Sequence, residues 1–178
     1  MLDRFQDPVA KGAYNLLVNC AKCERGQKLL IVYETEDDGY YGPELAQVVE
    51  MVGNQLGLVT EMYGVPLYRD VIDPEPALMD KMETVFCTVF LARLGDQIRF
   101  RPQNTSTTQI ISYVLDGDML ASSFGTIAYQ AFEQLKDLVN QSVVGAKEIH
   151  VTCPAGTDFK GTPEEFFPET GDTALMRF

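Results

Sequence analysis

Lys28-Leu-Leu-Ile-Val-Tyr33 is one charged residue followed by five apolar or aromatic ones. A continuous apolar run this short, made of strand formers, reads as a strand buried on both faces, which is the habit of a parallel sheet. Upstream, over residues 8–24, Val9, Ala13, Leu16, Leu17, Cys20 and Ala21 recur at helical spacing, with Asp7 as cap and Pro8 as first helical residue. An amphipathic helix is therefore expected, ended by Gly26. Downstream, after an acidic turn over 36–42, helical spacing returns over 43–56 through Leu45, Val48, Val49, Val52 and Leu56.

The alternation continues. Residues 58–63 read as a strand, 74–82 as a short helix, and Thr84-Val-Phe-Cys-Thr-Val-Phe-Leu91 as the most apolar strand of the chain. Strand-helix-strand units of this kind close with right-handed crossovers. Residues 96–108 mix charged, Pro, Asn and Thr residues and are expected to be a loop, followed by a strand over 109–115. The longest helix is expected over 124–144, with Ile127, Ala131, Leu135, Leu138, Val139 and Val143 on one side and Gly145 as its stop. Residues 149–153 then read as a final strand, the chain beyond Pro154 as loop, and 173–178 as one more strand or the start of a longer segment. The expected fold is α/β, a mostly parallel doubly wound sheet with flanking helices, forming a single domain over 1–178.

The composition agrees with a globular chain: 178 residues, 46% hydrophobic and 22% charged. A length of this order suits one domain with its own core. The net charge of −12 repels phosphate backbones and anionic lipid, so neither nucleic acid nor membrane is an expected partner. The first residues form no signal-type apolar core, and a cytoplasmic location is expected. Cys20, Cys23, Cys87 and Cys153 are too few for a disulfide framework and read as reduced thiols.

Hydrolytic and redox metal sites need several convergent His, Cys or carboxylate ligands, and this sequence has one histidine, His150. In Glu148-Ile-His-Val-Thr152 it alternates with apolar neighbours and reads first as a structural or surface histidine. A general-base pair of His150 with Asp158 is the weaker alternative. Cys20-Ala-Lys-Cys23 has C-x-x-C spacing but falls at a helix end, where the dipole does not favour a thiolate. The carboxylates Glu36, Asp37 and Asp38, like Glu164 and Glu165, lack the glycine-bearing spacing of a cation loop and read as exposed turns. Gln103-Asn-Thr-Ser-Thr-Thr108 offers hydroxyl and amide groups beside strand ends, where open α/β sheets take ligands.

Glu148-Ile-His-Val-Thr-Cys-Pro-Ala-Gly-Thr-Asp-Phe-Lys-Gly161 resembles a strand-turn motif of the metallo-aminopeptidase family that includes aminopeptidases S and T and thermophilic metalloproteases. Thr152, Pro154, Gly156, Thr157 and Asp158 are its distinctive part. Gly26-Gln-Lys-Leu-Leu-Ile-Val32 agrees in order, and Ser112-Tyr-Val-Leu-Asp-Gly-Asp-Met-Leu-Ala-Ser122 leans toward the 2,5-dihydroxypyridine dioxygenase-like branch. The resemblance covers nearly the whole chain and implies the N-terminal domain of a two-domain metalloenzyme. The divalent metal, whether zinc, cobalt or iron, would be held by a C-terminal domain, because no position here can receive the family's ligands. It further implies no cofactor in this chain, no catalysis by it alone, a missing C-terminal catalytic domain as partner, and a homo-oligomer. Asn104, Thr105, Thr157, Asp158 and His150 are the residues expected to line substrate, with no catalytic or metal-binding residue. A free-standing ligand- or partner-binding domain of the same descent is the alternative.

Overall fold

The computed structural model describes residues 5–36, 39–70, 73–98, 107–143, 146–162 and 175–177. In chain order the elements are α1 (Pro8–Tyr14), a π-helical continuation (Asn15–Cys20), β1 (Lys28–Glu34), α2 (Pro43–Leu56), β2 (Val59–Val65), α3 (Pro76–Met82), β3 (Cys87–Leu91) and α4 (Arg93–Ile98). They continue with β4 (Thr108–Ile111), α5 (Gly117–Ala121), α6 (Ser123–Thr126), α7 (Tyr129–Val143), β5 (Ile149–Thr152), β6 (Asp158–Gly161) and β7 (Leu175–Arg177). Two compact units result: Met1–Ala128 with Leu175–Phe178, and Tyr129–Ala174.

The first unit is built on a five-stranded sheet in the order β2-β1-β3-β4-β7, with every neighbouring pair parallel. This is the α/β doubly wound architecture expected from the alternation of runs. Successive residues of a strand point to opposite faces. Leu30, Val32, Phe90 and Ile111 therefore share one face, where they pack with Leu78 and Met82 of α3 and Leu94 and Ile98 of α4. Leu29, Ile31, Cys87, Val89 and Ile110 point the other way and are equally buried. There α2 lies close: a Cβ on Gly53 would fall 2.9 Å from Thr60 Cγ2 and 3.4 Å from Leu29 Cδ2. β3 is buried from end to end, as its unbroken apolar run requires.

Four expectations are corrected. The first helix keeps its cap, Val9 N donating to Asp7 Oδ1 at 3.2 Å, but it ends at Cys20 rather than at Gly26. Its last turns widen, Ala21 N donating to Leu16 O and Cys23 N to Leu17 O, both at 2.9 Å, before Lys22 takes a left-handed φ of 55°. Gly26 instead supplies the φ of 85° that turns the chain into β1. Within the expected 96–108 loop and just before it, Arg93–Ile98 forms α4, because Leu94 and Ile98 are spaced to bury one helical face against the sheet.

The long helix expected over 124–144 is two helices. Ser122 Oγ accepts from Phe124 N at 3.2 Å to start α6, and Asn15 Nδ2 donates to Gly125 O and Ile127 O, both at 2.9 Å, where the chain breaks. Those carbonyls are then held by a side chain 110 and 112 residues away instead of a helical ladder. Gly145, the expected stop, lies outside the described residues.

β5 is not a further strand of the parallel sheet. It pairs antiparallel with β6 in a separate hairpin of the second unit, with His150 opposite Lys160 and Thr152 opposite Asp158. Its alternating sequence and largely exposed residues cannot fill a position buried on both faces. β7 falls within the expected 173–178 segment and adds to the outer edge of β4. No helix among the described residues is long and apolar enough to cross a membrane.

Candidate functional site

In a sheet of this order the chain winds outward one way from β1 and the other way from β3, and the crevice outside the carboxyl ends of those strands is where such folds take ligands. β1 ends there in Glu34, only 7% exposed. Its carboxylate bridges two loops: Oε2 accepts from Tyr40 N at 2.7 Å and Oε1 from Arg93 N at 2.8 Å. The turn wraps tightly around it, since a Cβ on Gly39 would fall 2.6 Å from Glu34 Oε2. Arg93 sends its guanidinium over the Tyr40 ring, with Cζ 5.0 Å from the ring centre. Arg93 Nε is shielded from solvent and, among the described residues, has no hydrogen-bond partner.

Two more tyrosines close the group. Tyr41 donates its hydroxyl to Ser112 O at 2.7 Å, just beyond the end of β4, and Tyr113 donates to Asp96 Oδ1 at 2.9 Å. Burial, then the Glu34 and Asp96 carboxylates, push the Tyr41 phenol well above its ordinary value, so it stays a neutral donor. Among the described residues the crevice thus gathers one cation, two carboxylates and three phenols from the ends of β1, β3 and β4 and the segments that follow them.

The second unit pairs four residues noted in the sequence. His150 Nε2 lies 2.7 Å from Asp158 Oδ1, both side chains exposed, and Cys153 Sγ donates to Thr157 Oγ1 at 3.1 Å. The Thr157 hydroxyl, then its backbone and that of Ala155, lower the Cys153 thiol from its ordinary value. Asn104 and Thr105 lie outside the described residues, as do Asp37, Asp38, Glu164 and Glu165. Glu36 is a loop tie, its Oε2 accepting from Leu67 N at 2.7 Å.

The thiols of Cys20 and Cys23 do not form a redox pair at a helix N-terminus. Cys23 instead hydrogen-bonds Cys87 at the start of β3, which lowers Cys23 and, with burial, raises Cys87. Among the described residues no three His, Cys, Asp or Glu side chains gather to hold a metal ion. Tyr40, Tyr41 and Arg93 were not singled out by sequence reasoning. Their one sequence signal is positional: they follow the apolar runs that make β1 and β3.

No protein-family model matches the sequence, and no curated protein matches it. The fold is similar to that of 2,5-dihydroxypyridine dioxygenase from Pseudomonas putida KT2440, with a TM-score of 0.61 at 13% identity, over 88% of this chain and 47% of that one. This chain therefore spans about half the length of the dioxygenase it matches. At such identity the likeness is one of fold. A fatty acid ABC transporter substrate-binding protein from Thermomonospora curvata matches over 68% of this chain and 32% of its own, with 18% identity and a TM-score of 0.43.

Proposed function

We propose that this chain serves as the N-terminal α/β domain of a two-domain, dihydroxypyridine dioxygenase-like metalloenzyme, lining the substrate pocket and supporting assembly into a homo-oligomer. The observation that carries this reading is the extent of the fold likeness, nearly all of this chain against about half of the dioxygenase. A divalent metal does not fit the side chains described here, because none of their clusters offers three ligands. No chemical step is assigned to this chain. In this reading the metal, and with it the reacting centre, belongs to a second domain, while Tyr40, Tyr41 and Arg93 of the first unit bind and orient substrate.

The test is a titration of the purified chain with iron(II), zinc(II) and cobalt(II), followed by calorimetry and elemental analysis. The expected result is no stoichiometric metal, a melting temperature indifferent to EDTA, and no ring opening of 2,5-dihydroxypyridine. One tightly held metal per chain, or turnover, would overturn it. A free-standing ligand-binding domain is the second reading, favoured by Arg93 Nε at the sheet's switch point, which has no partner among the described residues.

A further inference from the structure

We infer that Arg93 and Tyr40, held in place by Glu34 at the carboxyl ends of β1 and β3, form a recognition site for the carboxylate of a small, flat organic acid. A guanidinium stays charged at every physiological pH and presents donors in a planar fork. In a chain of net charge −12 such a cation has many carboxylates to choose from, yet Arg93 forms no ion pair with any described residue. Among the described residues its Nε has no acceptor. Buried donors are ordinarily satisfied, and a carboxylate reaching the guanidinium would supply the missing acceptor.

The surroundings select the partner. Glu34 already sits between Tyr40 N and Arg93 N, and Asp96 lies one helical turn further along α4, so a phosphate dianion entering the crevice meets two carboxylates. A monoanion whose two oxygens lie in one plane matches the guanidinium fork without bringing a second charge. The Tyr40 ring, 48% exposed, adds an apolar surface beside the cation and suits an acid carried on an aromatic body. Glu34 is the positioning residue, since its two hydrogen bonds fix the backbone from which both recognition side chains project. The site belongs wholly to the first unit and holds whether the chain works alone or with a second domain. A chain that bound metal would overturn the proposed function and leave this inference standing.

The probe is benzoate, compared with benzamide and inorganic phosphate, in an amide NMR titration of the whole chain. Benzoate is expected to shift the amides of 34–36, 39–41 and 91–96, and to bind at least about tenfold more tightly than benzamide or phosphate. Arg93→Gln should weaken benzoate by about tenfold or more and erase its preference over benzamide. Should that variant fail to fold, Arg93→Lys keeps the charge but not the fork and is expected to lose several-fold, as is Tyr40→Leu, which removes the ring. No benzoate binding, equal binding of benzamide or phosphate, shifts confined to other residues, or unchanged affinity in folded Arg93 variants would each overturn the assignment.

Discussion

At the scale of single residues, Glu34 carries more of this structure than its place in the sequence announces. It is a carboxylate in a nearly closed environment whose two oxygens receive backbone N–H groups from different loops, so its charge is compensated by hydrogen bonds. Truncation to alanine leaves Tyr40 N and Arg93 N without that acceptor, and a loss of about 1–3 kcal/mol is expected. Glu34→Gln keeps one acceptor oxygen and should lose less. Denaturant midpoints of the two variants check both; equal stability to the parent would mean that water replaces the carboxylate without cost. Tyr41 gives the site a pH signature. Its phenol is raised above the ordinary value of about 10 in the folded state. Below that pH both states keep the proton. Above it the unfolded chain ionises while the folded one does not, so stability falls as pH rises past about 10. Midpoints at pH 9 and pH 11 should therefore differ less in Tyr41→Phe than in the parent, and an identical difference would refute the assignment.

Among the elements, the β5–β6 hairpin depends on one backbone conformation. Gly156 sits at φ 103°, with nothing within 4 Å of where a Cβ would be, so substitution meets conformational strain rather than a clash. Gly156→Val should cost the hairpin about 1–3 kcal/mol. Faster hydrogen exchange at the β5 and β6 amides would show it, and unchanged protection would mark the glycine as incidental. Local signals of this sort were open to sequence reasoning, as were the runs that became β1, α2 and β3, because an unbroken apolar run or a helical period is written within the segment itself. What escaped depends on distant partners. The break between α6 and α7 is enforced by Asn15, and α4 hides its short apolar face among charged residues. Residues 149–153 were legible as a strand, but their partner β6 was not, because Asp158–Gly161 lies in a stretch expected to be loop. The crevice was missed for the same reason of distance: Glu34 meets Arg93 across 59 residues, a contact that exists only once β1 and β3 are neighbours.

For the molecule as a whole, the net charge of −12 acts as a uniform strain on the compact state. Screening it should stabilise: the melting temperature is expected to rise between low salt and about 0.15 M sodium chloride, where the Debye length is about 8 Å. A fall would show instead that specific ion pairs outweigh the general repulsion. The order of the sheet has a consequence for how the protein is made. β4 and β7 are neighbours in space, but the chain between Ile111 and Leu175 leaves the sheet, builds the second unit and only then returns. On the ribosome, the far side of Thr108–Ile111 must wait with its hydrogen-bonding groups unanswered until residues 175–177 emerge. During that interval it is a template for any strand that arrives first, including the same segment of a neighbouring nascent chain.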